Sequence, residues 1–166
     1  MIGQTDSMAR ARATFKTLCK ALEKEKWHYE KYEDKLTVVC GAQGDGLPIE
    51  LNIRIDAEGQ LVQLLSCLPY KVKEDKRIEV AIAVSAVNYS IVHGCFDYDV
   101  TDGSLYFRMT NSFRDCVPGT EVFSYMIYAS RGTIDEYSDK FFMISKGMTS
   151  VEQFLAFECG IEEEGE

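Results

Sequence analysis

Apolar residues at Met8, Ala11, Phe15, Leu18 and Leu22 recur at intervals of three and four, the spacing of one face of an amphipathic helix that ends near Trp27. Thr5, Asp6 or Ser7 would cap its start. Beyond Trp27 the period falls to two, and "HYEKYEDKLTVVCG" predicts a short strand or extended lead, then a strand over about Leu36–Gly41. The connection "AQGDGLP" has neither G-x-x-x-x-G-K-[ST] nor G-x-G-x-x-G spacing, so its glycines predict a hairpin link, not a phosphate cradle. The next stretch, "IELNIRIDAEGQLVQLLSCLP", pairs with itself about Glu58 and Gly59. Ile55 then faces Val62, Ile53 faces Leu64 and Leu51 faces Ser66, while Arg54 meets Gln63 on the opposite face.

From about Lys76 to Val92, Ile78, Val80, Ile82, Val84, Val87 and Ile91 cover most of a helical circumference. Such a helix is covered on more than one side, by another layer of its own fold or by a second subunit. The stretch "FDYDVTDGSLYFRM" then places three aspartates within six positions, which raises a calcium loop as a possibility. Counted from Asp97, the loop's sixth position should be Gly and is Asp102, and its twelfth should be Glu and is Arg108. A hairpin fits better: with Asp102 and Gly103 as a two-residue turn, Val100 faces Leu105, Tyr98 faces Phe107 and Phe96 faces Met109. On the other face Asp99 lies opposite Tyr106, and Asp97 opposite Arg108. Thr120 can cap a helix with Phe123, Ile127, Ile134, Tyr137, Phe141 and Ile144 on one stripe. Gly132 interrupts it just before "TIDE", which has the form of a capping box, so a kink or two consecutive helices are expected. "TSVE" at Thr149 has the same form and opens a short last helix with Val151, Phe154 and Leu155 inward. The order is helix, three or four strands, helix, two strands, helices. It predicts an α+β fold of two layers, an antiparallel sheet with helices packed on one face.

A chain of 166 residues is about the size of one domain, taken here as 1–158, with 159–166 as an acidic, disordered tail ending in "IEEEGE". Of its residues 46% are apolar and 27% charged, an ordinary globular balance. The net charge of −9 argues against nucleic acid as a partner, since phosphate binding needs clustered Lys and Arg. That charge is uneven. Residues 1–26 hold six Lys or Arg against three Asp or Glu, which leaves −12 for the rest and suggests a basic helix lying on its own acidic body. Six scattered cysteines, no C-x-x-C and no apolar leader predict a cytoplasmic, reducing setting, with most thiols acting as small buried hydrophobes. No run reaches membrane-spanning length, so no membrane partner is expected.

Candidate chemistry is sparse. "VHGCFDYD" places His93, Cys95, Asp97 and Asp99 at period two on one strand face, which invites a thiol-nucleophile or metal reading. Same-face neighbours along a strand stand roughly 6–7 Å apart and form a row, whereas metal ligands converge on a point. The other histidine, His28, has no motif around it. Glu23, Glu25, Glu30 and Glu33 border a helix end and a turn, where charges are simply solvated. There is no G-x-S-x-G, H-E-x-x-H or kinase-like set, so no catalytic residues, metal or cofactor are assigned.

"IRIDAEGQLVQLLSCLP", the helix carrying Asn88 before "GCFDYDVTDGSLYFR", and the closing "DKFFMISKGMTSVEQF" give this chain its family likeness. From about Ala9 to Phe157 it resembles the YbjN family, described as candidate bacterial sensory transduction regulators. The resemblance implies a fold similar to the class I type III secretion chaperones, which are usually dimeric and built to bind other polypeptides. It brings no catalytic residues with it. The C-terminal helical part, with Gly132 inside it, is longer than in those chaperones. The resulting expectation is a non-enzymatic, cytoplasmic, homodimeric protein-binding module, chaperone-like or regulatory, with an unidentified protein partner. Its expected contact face is the outward row Asn52, Arg54, Gln63, Tyr106 and Arg108. The alternative is a thiol- or metal-dependent site on the strand carrying His93 and Cys95.

Overall fold

The computed structural model describes residues 2–160, with side-chain surroundings from Asp6 onward. Met1 and residues 161–166, which include most of the acidic tail, lie outside the described residues. Helix α1 (Ile2–Lys24) is followed by four strands, β1 (Tyr29–Tyr32), β2 (Thr37–Gln43), β3 (Pro48–Asp56) and β4 (Leu61–Lys71). A 3-10 turn at Glu74–Lys76 leads into α2 (Arg77–Ser90), then β5 (Cys95–Asp99), β6 (Ser104–Ser112), α3 (Thr120–Ser145) and α4 (Val151–Cys159). The strands form one sheet in the order β1-β2-β3-β4-β6-β5, every neighbouring pair antiparallel. The helices pack on one face of it, which is the α+β arrangement expected from the sequence.

Alternation decides which strand face is buried. Ile49, Leu51, Ile53 and Ile55 of β3 and Val62, Leu64, Ser66 and Leu68 of β4 face the helices, and the residues between them face out. On α1 the expected face is buried at Ala11, Phe15, Leu18 and Leu22, while Met8 stays exposed. The helix begins ahead of Thr5, Asp6 and Ser7, which therefore lie inside it and do not cap it. An aromatic cluster closes the other end of the core: Phe96 meets Phe107 and Phe141 edge-on, each at 5.1 Å, and Phe141 reaches Phe154 at 6.2 Å.

The β3–β4 hairpin has the expected register, with Ile55 opposite Val62, Arg54 opposite Gln63 and Ile53 opposite Leu64. Leu51 and Ser66 fall one step past the paired run. The β5–β6 hairpin is shifted. Tyr98 faces Leu105 in place of Phe107, Phe96 faces Phe107 in place of Met109, Asp97 faces Tyr106 in place of Arg108, and Asp99 faces Ser104 in place of Tyr106. The cause is the turn. A two-residue type I′ turn needs positive φ at both central residues, and of the Asp-Gly pair only Gly103 has it, at 80°. The loop instead takes residues 100–103, closed by Gly103 N–H donating to Asp99 O at 2.8 Å and by Asp99 Oδ1 accepting from the Thr101 N–H at 2.8 Å. Val100, expected on the apolar face, is in the turn and exposed. A shift of two positions keeps each side chain on its expected face.

Two helix expectations also change. α3 runs unbroken through Gly132, because the buried residues on either side, Ile127, Ser130, Ile134 and Tyr137, hold its packing in register and outweigh one glycine's cost of about 1 kcal/mol. Gly119 is its N-cap, not Thr120, and Thr133 bonds back to Ala129 O at 2.9 Å instead of opening a second helix. The last capping box is Ser150 with Gln153, one residue later than expected. Most of the cysteines are not buried. Cys40 alone is buried, Cys19 and Cys95 are half-buried, and Cys67, Cys116 and Cys159 are exposed, all as free thiols. Among the described residues, Lys24 alone of the six basic residues in 1–26 forms an ion pair with an acid outside that segment, Glu121, so α1 rests on the body chiefly through its apolar face.

Candidate functional site

The outer face of the sheet carries all five residues of the expected contact row. One rung crosses all six strands through successive partners: Glu30, Val39, Asn52, Leu65, Arg108 and Cys95. At an inter-strand spacing of about 4.8 Å this rung spans about 24 Å. A second rung runs Tyr32, Thr37, Arg54, Gln63 and Thr110. Tyr106 sits on a third, between Cys67 and Asp97. Asn52, Arg54 and Arg108 are exposed, and Gln63 and Tyr106 are half-buried.

Leu65 and Val39 were missed in that row. Leu65 is 39% exposed between Asn52 and Arg108. The signal was available, because in "QLLS" two adjacent leucines on one strand cannot both face the core. Toward β1 the face becomes a broad recess of about 1120 Å³, lined among others by Tyr32, Val39, Gly41, Glu50, Cys67 and Pro69.

Charge at the β5 end is locally settled. Arg108 donates from Nε to Asp97 Oδ2 at 2.6 Å and from Nη2 to Asp97 Oδ1 at 3.0 Å. The two bond diagonally, since the register places Tyr106 opposite Asp97. The guanidinium holds the Asp97 carboxyl below its usual range. Arg54 forms no ion pair among the described residues and is the free cation of the row.

The thiol or metal alternative does not assemble. His93 is not on the strand: it lies in the bend before β5, and Gly94 at φ 79° breaks the period-two row ahead of Cys95. The His93 ring packs edge-on against Tyr125 at 5.3 Å. Cys95 Sγ lies 3.5 Å from Asp97 Oδ1 and 3.4 Å from Arg108 Nη2. Burial and then the Asp97 charge push this thiol up, against a smaller opposing pull from Arg108, so it is not poised as a thiolate. Among the described residues no group of three or more His, Cys, Asp or Glu is placed to hold a metal ion. No helix among them is long and apolar enough to cross a membrane.

The helix side carries a second surface. Val80, Ala83, Val84 and Val87 of α2 are buried, but Ile78, Ile82 and Tyr89 are 71%, 45% and 94% exposed, and Val92 just past the helix is 86% exposed. Ile78, Ile82 and Tyr89 lie within about 40° of one another around the helix axis. The fold thus covers α2 on one side and leaves an apolar stripe on the other.

No family model matches the sequence, and no curated protein matches it. The fold is similar to the crystal structure of YbjN from E. coli, described as a proposed transcription regulator, with a TM-score of 0.57 and 14% identity over 81% of this chain and 93% of that one. At that identity the likeness establishes a shared fold, an antiparallel sheet with helices on one face.

Proposed function

We propose that this chain is a non-enzymatic protein-binding module, a chaperone-like or regulatory adaptor of the bacterial cytoplasm that acts as a homodimer. The observation that carries this reading is the apolar stripe of α2, where Ile78, Ile82 and Tyr89 stand exposed in one line. A contiguous apolar surface on a charged, water-facing protein marks an interaction site. Each such side chain contributes about 1.5–3 kcal/mol when fully buried. A two-fold contact of α2 with α2 covers the stripe on both subunits at once. It leaves the opposite layer, the sheet face with Asn52, Arg54, Gln63, Tyr106 and Arg108, open for the partner protein. The description of E. coli YbjN as a proposed regulator supports the regulatory side of this reading.

Native mass spectrometry of the protein purified from its own host tests both surfaces. The expected result is a dimer that Ile82→Asp converts to monomer, with a partner polypeptide lost on Arg54→Glu plus Arg108→Glu while the domain stays folded. A wild-type monomer sinks the homodimer, and partner capture unchanged by the double charge reversal removes the sheet face.

A further inference from the structure

Arg12, Lys16 and Lys20 stand at i, i+4 and i+8 along α1, all exposed and none in an ion pair among the described residues. Like charges one turn apart destabilise a helix by about 0.2–0.5 kcal/mol per pair. Among the described residues no carboxylate forms an ion pair with any of the three, and Glu33, which feels the charge of Lys16, is bonded to Lys31. They rim a cavity of about 470 Å³ between α1 and the β1–β2 segment, where Phe15, Cys19 and Leu36 supply the apolar lining. The acids of the cavity wall are already engaged: Glu33 accepts from Lys31 at 2.8 Å and Glu23 from the Tyr29 hydroxyl at 3.1 Å. Arg12 and Leu36 also line a second recess of about 490 Å³, whose charges, Lys35 and Arg54 against Asp34 and Asp56, balance. The two recesses adjoin at Arg12 and Leu36, and the first is the end with unbalanced positive charge.

The spacing of the cations selects the shape of what fits. Four helical residues rise about 6 Å, and alternate residues of an extended chain lie about 6.6 Å apart on one face. Carboxylates at every second position of an extended segment therefore fall into step with Arg12, Lys16 and Lys20. A single phosphate is too small to engage cations spread over about 12 Å. A long polyanion is repelled by the −12 that the rest of the chain carries. We propose that this groove seats an extended acidic segment of a partner protein, its alternate carboxylates on Arg12, Lys16 and Lys20 and an apolar side chain over Phe15 and Leu36. The proposed contacts, Arg12, Lys16, Lys20, Phe15 and Leu36, belong neither to the α2 stripe nor to the outward sheet row, which borders the groove only at Thr37 and Arg54, so the proposal and the function proposed above can fail separately.

The test is a titration of the ¹⁵N-labelled full chain with the peptide acetyl-Glu-Leu-Glu-Ser-Glu-amide, followed by amide chemical shifts. Saturable shifts confined to residues 12–20, Lys31 and residues 33–36 are expected. Lys16→Ala plus Lys20→Ala should weaken binding about tenfold or more, by removing two charge-assisted contacts from a surface that is otherwise unchanged. Added salt should weaken it in the wild type, and the Gln analogue of the peptide should not bind. Absence of saturable shifts, equal binding by the double variant, shifts mapping to the open sheet face, or stronger capture of an oligonucleotide than of the peptide would each overturn the proposal.

Discussion

The same substitution, glycine to alanine, has opposite predicted effects at two positions. Gly103 closes the β5–β6 turn at φ 80°, and its carbonyl accepts the Val72 N–H at 2.8 Å. A β-carbon built there lies 2.1 Å from Val72 O, a backbone atom that cannot swing aside. Gly103→Ala therefore costs about 1–2 kcal/mol for the left-handed conformation and about 0.5–1.5 kcal/mol for the bond it displaces, a loss of about 1.5–3.5 kcal/mol in all. Gly132 is the contrast. It is exposed within α3, and a β-carbon there meets nothing within 4 Å. Gly132→Ala should stabilise the protein by about 0.5–1 kcal/mol by restricting the unfolded chain. Urea unfolding of both variants beside the wild type measures the two effects as midpoint shifts at constant slope. A Gly103→Ala loss below about 1 kcal/mol would refute the turn geometry. Destabilisation by Gly132→Ala would show that α3 does not run straight through that position.

Three further outcomes check other parts of the structure. Asn88 reaches from α2 to the edge strand β5, accepting the Phe96 N–H at 2.8 Å and donating to Phe96 O at 2.9 Å. Asn88→Ala leaves both groups of a buried residue unpaired and should cost about 1–3 kcal/mol in thermal unfolding, whereas a loss within error would mean that water takes over both bonds. Asp102 is held at about 2 by the Lys71 ammonium and by the Ser104 N–H and hydroxyl. Because this value lies below that of the unfolded chain, the associated stability is complete above about pH 4 and disappears as pH falls toward 2. A carboxyl NMR titration should show Lys71→Ala raising the Asp102 midpoint, and an unchanged midpoint would remove that ion pair. Among the thiols, Cys67, Cys116 and Cys159 should react with Ellman's reagent first, with Cys40, pushed by burial to about 11, last. Cys95 reacting ahead of the exposed three would restore the thiol-site alternative.

What the sequence made legible follows from which signals are local. Period-two alternation assigns the faces of β3, β4 and β6 correctly and so puts Asn52, Arg54, Gln63, Tyr106 and Arg108 on one surface from the sequence pattern alone. The β5–β6 register was misread for an equally local reason. "DG" signals a tight turn only if both residues take positive φ, and composition cannot show that Asp102 does not. The error was an even shift, so it moved partners without turning any side chain over, and Arg108 still reaches Asp97, now diagonally. Long-range facts were not legible. The sequence cannot say that β6 inserts between β4 and β5, which makes β5 the outer strand whose Phe96 needs Asn88. Nor can it say which side of α2 the fold leaves bare. Its near-complete apolar circumference predicted cover on more than one side, and the fold supplies cover at Val80, Ala83, Val84 and Val87 alone. Ile78, Ile82 and Tyr89 are then the part of the sequence pattern that the fold of this chain leaves uncovered.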